Sequence, residues 1–323
     1  MGAMTQARST IVRAGQHGLY HCTNRCVRRA WLCGIDPDTQ QNYEHRKTMV
    51  EARIQQLGGI FAVGIYGYAV MSNHLHVVLA VEPDVAKNWT IDEVIDRWLQ
   101  LYSARDPELL AQKRAALLGN PDAIARCRSR LMDLSWFMRG LDEFVARHAN
   151  AEDGKSGRFW QGRFKCQALA DERALAAAMA YVDLNPIRAG ITDKLEDSEH
   201  TSVALRIKVM DRQPESADQP LQPIAGISYR QRLPMSNRQY IELVDWTGRQ
   251  IREGKRGHIA ETEPPALRRL ALDPTHWTGQ VKGVGCGYWR IVGSVEALIA
   301  RAEAAGQRWM KGIGYARKLA AAR

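Results

Sequence analysis

Met71-Ser-Asn-His-Leu-His-Val-Val-Leu79 reads as a tight turn that runs into a strand. Apolar residues Val77, Val78, Leu79 and Ala80 carry the run on, and successive strand side chains point to opposite faces. His74 and His76 therefore share one face, and Leu75 takes the other. Two imidazoles spaced about 7 Å apart at the backbone can converge on one ion. The same short pattern also fits two half-buried histidines bonded to backbone groups, so the neighbouring segments must decide.

Just upstream, Ile60 to Val70 is apolar and interrupted by Gly64 and Gly67, which suits a second strand bent at its glycines. Only Met71-Ser-Asn73 separates it from the histidine strand, so the two form a hairpin with the histidines near its mouth. A helix is expected from about Asn42 to Leu57, stopped by Gly58-Gly59. Earlier still, Leu19-Tyr-His-Cys-Thr-Asn24 is rich in strand formers. The arginines of Asn24-Arg-Cys-Val-Arg-Arg29 then make either a phosphate-contacting turn or an ordinary solvated one. Strand, helix, strand, strand is the opening of a ferredoxin-like split β–α–β fold, in the α+β class.

Downstream, residues 85–120 form a helical insertion. Thr90 is placed to cap one helix and Asp106-Pro107 to open another, which Gly119 closes. Asn120-Pro121 opens a third, whose core face runs from Ile124 through Leu134 to Val145. Arg158-Phe-Trp-Gln-Gly-Arg-Phe-Lys-Cys-Gln-Ala-Leu169 alternates basic or polar residues with aromatics. Arg158, Arg163 and Lys165 beside Trp160 and Phe164 match a groove in which cations track phosphates and rings stack on bases. A core strand with a charged outer face fits the segment equally well. Asp171 opens an alanine-rich helix through Tyr181 that Asn185-Pro186 ends or kinks. Tyr181 and Asn185 lie one turn apart on one face of it.

The chain has 323 residues and a net charge of +10. From Ser228 to Arg323 there are 17 Lys or Arg against 8 Asp or Glu, a difference of 9, so nearly all the excess sits in the last third. Such a balance points to a polyanionic partner, nucleic acid first. No apolar run is long enough to span a membrane. Six scattered cysteines without a Cys-x-x-Cys pair read as reduced thiols. The expected layout is a disordered arm over 1–15, opening with a vector-derived remnant before a second start at Met4. A catalytic domain over 16–209, a linker over 210–227 rich in Pro, Gln, Asp and Ser, and a basic, mainly α-helical C-terminal domain over 228–323 follow.

Four stretches stand in a recognisable order: Tyr20-His-Cys-Thr-Asn-Arg25, Val70-Met-Ser-Asn-His-Leu-His-Val77, Phe159-Trp-Gln-Gly-Arg-Phe164 and Tyr181-Val-Asp-Leu-Asn-Pro-Ile-Arg-Ala-Gly190. Over about residues 15–205 the chain resembles the HUH single-tyrosine transposases of small insertion sequences, most of all the REP-associated tyrosine transposase branch. The resemblance implies the HUH endonuclease fold, with His74-Leu75-His76 as the name-giving motif. It implies Tyr181 as nucleophile and Asn185 as third metal ligand beside His74 and His76. Mg²⁺ is the expected cofactor, with Mn²⁺ as its substitute. The implied activity is nicking and rejoining of single-stranded or hairpin DNA through a 5′-phosphotyrosine link. Arg25, Arg28, Arg158, Trp160, Arg163, Lys165 and Arg188 are the expected DNA contacts. A monomer or homodimer in the cytoplasm, associated with the nucleoid, completes the expectation. The alternatives are a domesticated hairpin-DNA-binding protein that no longer cuts, and an RNA-binding module on the same kind of sheet. The last ranks lowest because the expected strands carry no aromatic pair. Removing residues after about 215 is expected to weaken DNA binding and leave metal binding intact.

Overall fold

In the computed structural model, three long strands carry the centre of a sheet: β1 (Gly18–Arg25), β2 (Val63–Val70) and β3 (His74–Val81). The structure describes residues 11–13, 15–27, 32–36, 40–101, 106–230, 233–251, 264–270, 273–288 and 290–321. With β4 (Lys165–Leu169), β5 (Ala225–Gly226) and β6 (Ile291–Val292) they make a six-stranded sheet in the order β5-β2-β3-β1-β4-β6. The middle four strands are antiparallel in the order of a split β–α–β fold, and β6 adds parallel to β4. Together with the helices this is an α+β architecture with a mixed sheet.

The two faces of the sheet carry different helices. Every residue of β2 is buried and so is nearly all of β3, which is why both strands read as continuous apolar runs rather than alternating ones. Helix α1 (His45–Ile60) lies on the face of Leu75 and Leu79: Gly58 sits against Ile65, the partner of Leu79, and Tyr68 Oη bonds Glu51. The face of His74, His76 and Val78 is covered by α7 (Glu172–Asp183) and α9 (Ser202–Arg212). Met179 and Ser202 there meet Gly67, the partner of Val78. The hairpin register shifts between Ile65 and Gly67, where the bend was expected.

Several expectations change. Gly58-Gly59 does not stop α1, which continues to Ile60. A Cβ on Gly58 would lie 2.9 Å from Ala225 Cβ, so this glycine admits β5 rather than ending the helix. The third of the expected helices is two, α5 (Pro121–Leu131) and α6 (Leu134–Glu152), because Asp133 accepts from Trp136 N at 3.0 Å and caps a new start. Before them come a short α2 (Pro83–Lys87), then α3 (Ile91–Gln100) with a reciprocal Thr90–Glu93 cap and α4 (Pro107–Leu118) capped by Asp106. Only Lys165–Leu169 of the aromatic-basic segment is strand. Phe159, Trp160 and Phe164 turn inward and break the alternation.

Residues 210–227, read as a linker, instead hold a 3-10 turn over Pro214–Asp218, the buried Leu221 and β5. Ile224 N donates to Ile65 O at 2.7 Å, and Arg206 donates to Gln222 O at 2.9 Å, so the segment is bonded along its length. Beyond it come α10 (Asn237–Ile251), α11 (Pro265–Arg269), α12 (Pro274–Cys286), α13 (Val295–Ala304) and α14 (Ile313–Ala321). These cross the expected boundary at 228: β6 extends the sheet at β4, α12 packs on α7, and Tyr240 reaches Asp183. Of the expected arm, residues 1–10 and 14 lie outside the described residues. Ile11 is buried, and its carbonyl accepts from Arg301 at 2.8 Å. No disulfide joins the six cysteines. Among the described residues no helix is long and apolar enough to cross a membrane.

Candidate functional site

The register of β1 against β3 sets Arg25 opposite His74 and Thr23 opposite His76, and on its other side β1 sets Thr23 opposite Lys165 and His21 opposite Gln167. Facing partners share a side of the sheet, so His74, His76, His21, Arg25, Lys165 and Gln167 all lie on the α7 face. The His74 and His76 rings are 4.9 Å apart and edge to face. His74 Nδ1 is 2.7 Å from Asn73 Oδ1, which can only accept, so that nitrogen donates and Nε2 keeps its lone pair. His76 Nδ1 is 2.9 Å from His21 Nε2, and the two rings lie edge to edge along that bond, their planes 19° apart and their centroids 5.1 Å apart.

Burial governs the charge of all three imidazoles. It pushes His21 down to about 4 against the support of Gln167, and His74 down to about 4 with Arg25 adding to the effect. His76 is driven well below its ordinary value by burial, then by its neighbours His21, His74 and Arg188. Each ring is therefore neutral at neutral pH, the form in which an imidazole ligates a metal.

The nucleophile candidate comes from the helix above. Asp171 accepts from Ala174 N at 2.7 Å and starts α7, and its run of small alanines lets the helix lie close to the strands. At its end the Tyr181 ring is 5.9 Å from both His76 and His21, edge-on to each. The Arg188 guanidinium, on the short α8 (Asn185–Arg188), sits 4.5 Å from the centre of the Tyr181 ring. On another side the phenol abuts α12: a methyl at Gly285 would lie 2.8 Å from Tyr181 Oη. Asn185 Nδ2 donates to the carbonyls of Tyr181 at 3.1 Å and Val182 at 3.3 Å, which anchors the amide to the helix end and leaves Oδ1 on its other side.

Among the described residues no three His, Cys, Asp or Glu side chains gather as a metal cluster. His74, His76 and Asn185, the donors that the resemblance implies, would offer two neutral imidazoles and an amide oxygen. That set fits a divalent cation and leaves positions for water and a phosphate oxygen.

The expected DNA contacts divide. Arg25 and Lys165 are exposed at the rim of the histidine face, Arg158 and Arg163 are exposed on the approach to β4, and Arg188 lies over Tyr181. Arg28 lies outside the described residues. Trp160 is a correction: it is 7% exposed and bonded through Nε1 to Asp142 O at 2.9 Å, so its ring packs in the core and offers no stacking face. His21 and Gln167 are additions. Period-two alternation from Arg25 back to His21 marks the first, but only the strand register shows that this face is the one bearing His74 and His76.

Close behind Tyr181 in the chain, Asp183 is fully buried. It accepts from Ser202 Oγ at 2.5 Å, Val203 N at 3.0 Å and Tyr240 Oη at 2.5 Å. Burial outweighs these bonds and raises its carboxyl to about 6.

No protein-family model and no curated protein matches the chain. Among solved structures it is similar to one described as the REP-associated tyrosine transposase bound to a REP hairpin. Identity is 14%, coverage is 64% of this chain and 86% of that chain, and the TM-score is 0.37. At that TM-score the likeness carries no argument about fold or chemistry.

Proposed function

We propose that the chain is an HUH-type single-tyrosine DNA strand transferase acting on single-stranded DNA, with hairpin-forming repeats as its substrate class. The observation that carries this reading is the meeting of two elements far apart in sequence. The Tyr181 ring stands 5.9 Å from His76 on the face that also bears His74. The four sequence stretches that resemble the family supply the substrate class.

Tyr181 Oη attacks a backbone phosphorus. An O–P bond forms to the phenol, the bond to the 3′ oxygen breaks, and the phenolic proton ends, net, on the released 3′ hydroxyl. Because the new link is itself a phosphodiester, a 3′ hydroxyl can attack it and rejoin strands without an outside energy source. A divalent cation held by His74, His76 and Asn185 would polarise a nonbridging oxygen and offset charge in the transition state. Arg188 places its positive charge over the ring of the attacking residue. Arg25, Lys165 and Arg163 are exposed around the site and suit the flanking phosphates. The charge difference of the last third adds attraction for the polyanion that weakens with salt.

The test is a covalent protein–DNA adduct on a denaturing gel, using hairpin-bearing single strands with Mg²⁺ or Mn²⁺. Wild type should form it and Tyr181→Phe should not. Salt-dependent DNA binding without an adduct from wild type would leave a binding protein and remove the transferase reading.

A further inference from the structure

His76 is linked to the C-terminal part of the chain by a line of hydrogen bonds whose direction is determined at one end. The Val284 carbonyl on α12 can only accept, and it accepts from Gln167 Nε2 at 3.2 Å. The reverse setting of that amide would place two oxygens against each other. Gln167 Oε1 therefore faces His21 Nδ1 at 2.9 Å, and an amide oxygen only accepts, so His21 carries its proton on Nδ1. His21 Nε2 is then the acceptor for His76, 2.9 Å away, and His76 must carry its proton on Nδ1. That assignment leaves the His76 lone pair on Nε2. His21 and His76 are both buried, which denies water the chance to offer another pattern.

We propose that His21 and Gln167 are positioning residues that lock His76 in the Nδ1–H tautomer, with the Val284 carbonyl as the anchor that orients the relay. The proposal rests on the reading of His76 as a metal ligand. It adds that this ligand is prepared before any metal arrives, and that the C-terminal third takes part in preparing it. A ligating imidazole whose other nitrogen donates to a held partner keeps its orientation and basicity, and loss of such a partner costs 10–100-fold in metal affinity. The single bond between His76 and His21 is the vulnerable one. A phenyl ring in place of His21 keeps an aromatic ring of similar size but has no acceptor. A glutamine there brings an amide oxygen that can accept from His76 Nδ1.

The experiment uses the full-length chain without DNA. Mn²⁺ affinity is measured calorimetrically for wild type, His21→Phe and His21→Gln, with circular dichroism as a folding control. Binding should weaken 10–100-fold in His21→Phe and recover in His21→Gln. In the metal-free wild type, ring ¹⁵N shifts should show His76 protonated on Nδ1 and bare on Nε2. A His76 ring protonated on Nε2 overturns the proposal even if His21→Phe does not fold. Equal Mn²⁺ affinity in wild type and folded His21→Phe overturns it as well, and leaves the strand-transferase reading standing. Wild type that binds no Mn²⁺ removes that reading, and the proposal with it.

Discussion

Asp183 stands two residues from the nucleophile candidate and serves the fold rather than the chemistry. Its carboxyl is raised from 3.8 to about 6 by burial, so the folded chain holds that proton where the unfolded chain has released it. The contribution to stability is complete below about 3.8, declines as the pH rises, and is lost once the pH passes about 6. Asp183→Asn is close to isosteric and does not titrate. Its amide oxygen can accept from Ser202 and Val203, while its amide donates to a reoriented Tyr240 hydroxyl. The melting-temperature difference between variant and wild type should therefore shift in the variant's favour between pH 4 and pH 6.5. A difference that does not change with pH would contradict the assignment. Residues of this kind are not legible in a sequence. Asp183 looks like one more acid at a helix end, and only Ser202, Val203 and Tyr240 closing around it reveal its burial. His74, His76, Tyr181 and Asn185 could be singled out as candidates because strand and helix periods place each pair on one face within a few residues. His21 and Gln167 needed the register of three strands.

At the scale of the element, α12 had no reading of its own beyond the expectation of a mainly α-helical C-terminal domain. Its glycines explain why. Pro-Thr-His-Trp-Thr-Gly-Gln-Val-Lys-Gly-Val-Gly-Cys is a poor helix former by composition, since glycine costs about 1 kcal/mol against alanine in a helix interior. Those positions are sites of close approach. Methyls on Gly279 and Gly283 would meet Leu319 and Tyr315 of α14, and one on Gly285 would meet Tyr181. The same misreading made Gly58-Gly59 a helix stop when Gly58 gives room to β5. Caps, which are local, fared better: Thr90, Asp106, Asn120 and Asp171 all open helices where the sequence placed them. Gly285→Ala tests the contact with Tyr181, the proposed nucleophile. The added methyl would lie 2.8 Å from Tyr181 Oη, so the phenol must move. A displacement near 1 Å can cost about 100-fold in rate. Adduct formation should fall by about that factor, while the melting temperature holds or rises through better helix propensity. An unchanged adduct rate would show that Tyr181 does not react from this position.

At the scale of the whole molecule, the basic last third was legible as charge and illegible as structure. Its net excess of 9 marks a polyanion-facing region. Nothing local announces that two-residue strands, β5 from just before it and β6 from within it, close both edges of the sheet, β5 beside β2 and β6 beside β4. Short edge strands carry too few residues to leave a period, and their pairing is set by distant partners. Once they are in place, the expectation that residues after about 215 can be removed without touching the metal site loses its basis. Removal would uncover the hydrogen-bonding edges of β2 and β4, take Tyr240 from Asp183 and take the Val284 carbonyl from Gln167. A chain built this way should unfold as one unit, because the parts share a sheet and a buried hydrogen-bond network instead of a linker. Differential scanning calorimetry of the full-length chain should show a single transition whose calorimetric and van't Hoff enthalpies agree. A chain ending at Arg212 should lose that transition. Two separate transitions in the full-length chain, one of them retained after truncation, would mean that the catalytic part folds alone and that the relay through Val284 is not needed to hold it together.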